Sequence, residues 1–395
     1  MSTALISHTQ PTPSEGWRGG AVTRISEIVD RAMSEGVVSG ALVVAAQHGR
    51  LTVEMCRGNK VAVDATSECA PLRFSTVFDL GALTEVVCTG TLMMRLISGG
   101  KVNLLDRASR FVQSLAVGQR SQITLAHLLA HAAGYGTTTG VADEILRAHA
   151  GPRPGLLASS GARHYAYNFL HKLPPRYEPG TRQLRSDADY IVLGEICEAI
   201  TGMPLEKAFS RFVAAPLGLR SLNFIELSSV RSKSVRPMTE VFAPVGKCPR
   251  RARVVCGEVW DEHAWAMGGV SGHNGLFGTA ADLMGWGAEI LAALKGRSEI
   301  ISANAVRAFL APNLPGLDPD WRLGFDGIVA PEGAAQAGVA PEAVTVASAT
   351  GCSVVIEPKR DLVAVVATSG SVAHGMTKRF VSMRSDIHAE LLVTE

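Results

Sequence analysis

The chain has 395 residues, 47% of them apolar, and 38 Lys and Arg against 36 Asp and Glu leave a net charge of +2. That content supplies a core for one large domain or two moderate ones without disulfide staples. The near-balance of charge, with no long run of either sign, argues against nucleic acid or an anionic membrane as partner.

The start, "MSTALISHTQPTPSEGW", lacks a basic segment followed by an apolar one, and residues 1–20 read as a loose terminus. A helix is expected in "AVTRISEIVDRAMSEG", closed by Gly36. "GALVVAAQHGRLTVEMCRG" then reads as two strands turned at His48-Gly49. Next, "FDLGALTEVVCTG" has the form of a short strand, a small-residue turn and a helix over roughly 82–99. Helical patterns and Gly/Pro loops dominate about 100–310, including the helix "DYIVLGEICEAITG". Strand patterns return in "AVTVASATGCSVVIEP" and "LVAVVATSG", and an amphipathic helix near 373–393 ends the chain. Strands at both ends around a helical middle predict an α+β fold. Residues 21–395 then form a single domain whose antiparallel sheet is shared by about 21–80 and 320–395.

No segment holds eighteen uninterrupted apolar residues, so a cytoplasmic protein is expected. Seven cysteines stand singly without a C-x-x-C pair, as reduced thiols would, and offer no zinc site. His127 and His131 have the i, i+4 spacing of one helical face, but Leu128 stands where a zincin needs Glu, so both are read as structural. No metal and no cofactor is expected. A small-molecule substrate or ligand fits best, with a partner enzyme or a homo-oligomer also compatible.

Several of these stretches, in order, resemble the serine β-lactamase and penicillin-binding-protein-like family, most closely the class C β-lactamases and their esterase relatives. The resemblance spans about residues 22–392 and rests on "STVFDLGALTEVVCTGTLMMRLISGGKVNLLD", "ITLAHLLAHAAGY", "YEPGTRQLRSDADYIVLGEICEAITGMPLEKAFSRFVAAPLGL", "VWDEHAWAMGGVSGHNGLFGTAADLMGW" and "GCSVVIEPKRDLVAVVATS". It implies the β-lactamase/transpeptidase-like fold, helices flanking the sheet with a helical insert. It also implies a Ser-x-x-Lys nucleophile motif, a Tyr-based second motif and a Lys-Thr-Gly or His-Thr-Gly third motif.

All three are replaced. The first reads Ala82 to Glu85, and a methyl group forms no acyl-enzyme. The second reads Arg185, Ser186, Asp187, and the third, counted back from "TGCSVVIEP", reads Val346, Ala347, Ser348. The resemblance makes Glu85 and Arg185 neighbours, a complementary pair in a rebuilt cleft. By the same carry-over Asp187, His273 and Asn274 border that cleft, with Asp261, His263 and Trp265 close by. His273 is either a loop histidine bonded to backbone or, beside Asp187 and Glu85, a general acid or base. The expected catalytic groups are Glu85, Arg185, Asp187 and His273. The expected substrate contacts are Ala82, Ser186, Trp265, Asn274, Ala347 and Ser348, with Trp265 as an aromatic pocket wall. Cys352, Ser186 and Ser348 lack a basic partner that would make them nucleophiles. Two functions remain: a repurposed enzyme of specialised metabolism that works by non-covalent cyclisation, isomerisation or elimination, and a catalytically dead ligand-binding or scaffolding protein.

Overall fold

A computed structural model describes residues 18–61, 70–137, 139–232, 240–311, 317, 321–327, 339–370 and 378–392. The first seventeen residues of the expected loose terminus lie outside these, and the helix expected from Ala21 already begins at Arg18. That helix, α1 (Arg18–Ser34), ends where Gly36 takes φ +68°, a left-handed conformation that costs glycine little. Strands β1 (Gly40–Gln47) and β2 (Arg50–Gly58) are joined at His48 and Gly49, both with positive φ, the two-residue turn whose twist suits a hairpin.

After β3 (Phe78–Asp79) the chain turns into a π-helical segment, Glu85–Gly90, that runs on as α2 (Thr91–Ser98). The helical middle holds α3 (Leu125–Leu129), α4 (Val141–Ala150), α5 (Ala162–Leu170), α6 (Asp187–Thr201), α7 (Leu205–Phe209), α8 (Ala215–Leu217) and α9 (Leu227–Ser232). It continues with α10 (Glu262–Ala266), α11 (Ala280–Leu294) and α12 (Ala303–Leu310), and α13 (Lys378–Leu392) closes the chain. Strands also occur in this region, which the sequence patterns did not anticipate. They are β7 (Leu276–Gly278), which pairs with β3 on one side and β4 (Asn223–Phe224) on the other, and the hairpin β5 (Gly246–Cys248) with β6 (Arg253–Val255).

The main sheet is built from both chain ends, as expected. With β8 (Asp326–Gly327), β9 (Val344–Ala347), β10 (Cys352–Glu357) and β11 (Leu362–Ser369), its order is β2-β1-β11-β10-β9-β8, every neighbouring pair antiparallel. Its central strands are apolar on both faces because both faces are covered. Ala41, Val43 and Ala45 of β1 and Leu362, Ala364 and Val366 of β11 meet Ile25 and Val29 of α1 and Phe380 and Ile387 of α13. The alternate residues, Leu42, Val44, Val363, Val365 and Ala367, face the helical middle, where α11 packs. The pairing Val43↔Val366 holds this alternation, since a one-residue slip would exchange the two cores. No helix among the described residues is long and apolar enough to cross a membrane.

Candidate active site

The turn that starts the π-helical segment sits against the edge of the main sheet. Asp79 accepts Gly81 N–H at 2.9 Å through Oδ1 and Trp260 N–H at 2.7 Å through Oδ2, and its burial pushes its pKa up to about 6. The Asp79 carbonyl accepts the Thr350 hydroxyl at 2.7 Å, and Ser348 lies 2.7 Å from Thr350, oxygen to oxygen. Gly81, at φ +54°, leaves no room for a side chain, since a Cβ there would stand 2.7 Å from Thr350 Oγ1. Ser348 is thus placed beside Gly81, the residue before the half-exposed Ala82, and Ala347 ends β9 one residue earlier.

Glu85, one turn on, is 2% exposed. Arg185 Nη2 donates to its Oε2 at 3.3 Å, and His131 Nε2 stands 3.6 Å from the same oxygen. Burial opposes the charged form, but Arg185 and His131 outweigh it and hold the Glu85 carboxyl below its usual range. His131 in turn lies 3.4 Å from Asp189 on α6, and the two carboxylates overcome its burial and lift its pKa to about 9. Asp189, fully buried, is pushed up to about 7 by desolvation, with His131 opposing. The sequence suggested Glu85 with Arg185 but not this buried continuation. Its His131 was read as a structural residue on one face with His127. The helix stops at Leu129, so the two histidines part: His127 accepts Thr124 N–H in a capping box, while His131 leaves the helix at φ +54° and turns inward.

A second group of charges forms where α6, α10 and the loop before β7 meet. Gly272 lets that loop press on α6, since a Cβ there would be 2.0 Å from Tyr190 O, and the Gly272 carbonyl accepts the Thr89 hydroxyl at 2.7 Å. His273, fully buried, has Ser271 Oγ 2.7 Å from Nδ1 and Asp261 Oδ1 3.0 Å from Nε2. Asp261 also caps α10 by accepting Ala264 N–H at 2.7 Å. Asp187 opens α6 with its side chain 37% exposed, 4.0 Å from His263 Nε2. His263 Nδ1 accepts Ala142 N–H at 3.1 Å, so its ring proton is on Nε2 and faces Asp187.

The two carboxylates are driven apart. Burial, and then the neighbouring Asp261 and Glu85 charges, raise Asp187 despite His273; solvent at its exposed edge trims the shift without reversing it. Burial would raise Asp261 too, but His273 outweighs it and holds the carboxyl near 2. Asp261 and Asp187 overcome the burial of His273 and lift its pKa to about 9.

Ser271–His273–Asp261 has the connectivity of a nucleophilic triad, but Ser271 Oγ is sealed in the core and anchors the ring. Asp187, Asp261 and His273 bring ligand atoms within 4.8 Å of one another and are the described residues that could hold a divalent cation, although His273 Nε2 is already committed to Asp261.

Two expected substrate contacts have other employment. The Ser186 hydroxyl donates to Gly136 O at 2.8 Å and is 1% exposed, so it serves the start of α6 instead of the cleft. Trp265 packs beside Val259 and Phe277 with the Arg251 guanidinium 5.3 Å from its ring centroid, so one ring face is covered. Cys352 is fully buried, and burial pushes its thiol far up, which removes it as a nucleophile. Asn274 is half-buried and its side chain makes no hydrogen bond among the described residues, so its amide is uncommitted.

The family described as Beta-lactamase matches residues 25–383. A "Putative D-alanyl-D-alanine carboxypeptidase" of Salmonella typhimurium is 28% identical over 221 residues, 53% of this chain and 49% of that protein. The chain spans about half the length of the curated relatives it matches. Among solved structures, "EstCE1, a hydrolase with promiscuous acyltransferase activity" superposes with a TM-score of 0.70 at 21% identity, covering 94% of this chain and 98% of that one. Unliganded simvastatin synthase from Aspergillus terreus gives 0.68 at 17% identity, with coverage of 94% and 98%. A penicillin-binding-protein homologue from Caulobacter crescentus gives 0.65 at 17%, with coverage of 95% and 99%. At such identities these likenesses speak for the fold alone.

Proposed function

The chain belongs to the Beta-lactamase family, and from that premise we propose that it is a rebuilt member acting on a small molecule by non-covalent acid–base catalysis, without an acyl-enzyme. The carrying observation is the opposite displacement of two neighbouring carboxylates, Asp187 upward and Asp261 down to about 2. Pairs of acids pushed apart in this way divide the two proton-transfer roles between them. Asp187, the more exposed, takes and returns the proton of the substrate. Asp261 stays ionised beside the protonated His273, and the pair orients a donor. His263 presents its Nε2 proton toward Asp187, and Asn274 offers an amide to the substrate.

Glu85 and Arg185 move to a positioning role in this scheme. Glu85 is sealed, ionised and paired, whereas a group that exchanges protons with substrate must reach it. Isomerisation, elimination and cyclisation need only this kind of positioned proton traffic. The names of the relatives point to hydrolysis and acyl transfer, and the resemblance places their nucleophile where this chain has Ala82.

The ligand-binding alternative keeps one specific support. The space among His131, Arg185, Trp321 and Asp326 is a cavity of about 10 Å³, room for a single water. That flank of the cleft is filled by side chains.

One experiment separates these. Purified protein is incubated with a fluorophosphonate probe, with nitrocefin and with a metabolite extract of the source organism, followed by intact-mass and metabolite analysis. The proposal expects no adduct, and a metabolite consumed by the wild type but not by Asp187→Asn. A serine adduct would overturn it in favour of a displaced nucleophile, and a metabolite retained unchanged would favour the binding protein.

A further inference from the structure

A cavity of about 460 Å³, lined by no residue of the acid–base cluster, lies between the loop after α3 and the loop that follows α5. Small-molecule sites run from about 300 to 1,000 Å³. One wall is apolar and stiff, made by Leu173, Pro174 and Pro175. The other carries Tyr135, Thr139 and Arg176.

The polar wall is unsatisfied. The Tyr135 and Thr139 hydroxyls are both buried without a hydrogen-bond partner among the described residues, a state that folded proteins rarely leave unrelieved. The Tyr135 phenol remains a donor, since burial raises its pKa and Asp189 adds to the effect. Arg176 has no ion pair among the described residues. Its guanidinium lies across Gly136, where a Cβ would stand 2.9 Å from Arg176 Nε, so a side chain there would push the arginine aside. Arg120 supports the same loop from behind, donating from Nη1 to Leu173 O at 3.1 Å while its Nε is buried without a partner among the described residues. Two carboxylates behind the polar wall already have partners: Glu195 lies 2.7 Å from His171 and Asp189 lies 3.4 Å from His131. Arg176 is thus the charged group of the cavity lining, set beside an apolar wall.

We propose that this cavity is a second ligand site, which takes a small carboxylic acid with a compact apolar body. The carboxylate pairs with Arg176 and accepts from the Thr139 hydroxyl, and the body lies against Leu173, Pro174 and Pro175. Arginine suits this task because its planar fork matches a carboxylate. The site is separate from the acid–base cluster but shares a loop with it, since Gly136 O holds the Ser186 hydroxyl at the start of α6.

Isothermal titration of the full chain with 4-phenylbutyrate tests this, with 4-phenylbutylamine as the charge-reversed control. The expected result is saturable one-to-one binding of the acid and none of the amine. Arg176→Gln should weaken it by about 10-fold or more, Arg176→Lys by less, and Thr139→Val by about 3-fold. Asp187→Asn should leave it unchanged. Arg176→Gln is confirmed folded by its near-ultraviolet circular dichroism, and Arg176→Lys preserves the test if that variant does not fold. The absence of saturable binding in the millimolar range, equal binding of the amine, undiminished affinity in folded Arg176→Gln, or loss of binding in Asp187→Asn would each overturn the proposal.

Discussion

His273 shows how much a single residue's chemistry depends on what packs around it. An imidazole buried alone would shed its proton, yet Asp261 and Asp187 reverse that and lift its pKa to about 9. Removing the nearer charge tests the balance. In Asp261→Asn the His273 pKa, followed by imidazole NMR, should fall by roughly 1–2 units, the size expected for loss of one close opposite charge. A value still near 9 would mean that Asp187 alone holds the proton. Glu85 is the counterpart on the sealed side. Glu85→Gln leaves Arg185 and His131 facing a neutral amide, and denaturant unfolding should show a loss of about 1–3 kcal/mol. The figure stays at this modest level because the Arg185 side chain is 44% exposed and water screens it. An unchanged stability would show that the pair contributes nothing net.

At the scale of elements, the site depends on close approaches that only glycine permits. The loop carrying His273 touches α6 at Gly272, where a methyl group would meet Tyr190 O at 2.0 Å and Gly194 N at 3.0 Å, both backbone atoms. Gly272→Ala must therefore move the loop off the helix, and the expected cost is about 1–3 kcal/mol of stability, by the usual penalty of overpacking. The same variant should lower the His273 pKa, because the ring would leave its place between Asp261 and Asp187. Retention of both stability and pKa would show that the loop is not wedged. The elements themselves were largely readable from pattern. The turn at His48-Gly49, the helix ending at Gly36 and the two-sided apolar strands β1 and β11 were recoverable because each is set by local backbone preference or by alternation. The short pairings of β3, β4 and β7 were not, because strands of two or three residues carry no period and exist only through distant partners.

Across the whole molecule, the buried charges make stability depend on pH. His131 and His273 titrate near 9 in the folded chain and near the ordinary histidine value, about 6.5, once unfolded. Their contribution is complete below about pH 6.5 and is lost as pH rises through 9. Asp189, raised to about 7, acts in the same sense up to that pH because the folded chain keeps a proton that the unfolded chain has released. His388, lowered to about 3, opposes them only below about pH 6.5. Between pH 6.5 and 9 the folded chain thus holds more protons, and its melting temperature should fall by roughly 2–4 °C or more. Asp261→Asn should flatten that slope. A melting temperature that rises over this window would contradict the charged state assigned to both histidines.

The sequence by itself determined the family fold and the shared sheet, because these are matters of residue order and local pattern, and through the resemblance it set Ala82 and Glu85 where a Ser and a Lys are expected. It also suggested the pairing of Glu85 with Arg185 through the family frame. Only the tertiary structure decided the rest. It turned His131 off its helix and set it between Glu85 and Asp189, gave Ser186 and Trp265 packing roles, and placed Asp261 against His273, twelve residues along the chain. The physical reason is that an ionisable group's state depends on the charges and solvent within a few ångströms. Those neighbours come from α6, α10 and the loop before β7, and chain folding alone brings these together.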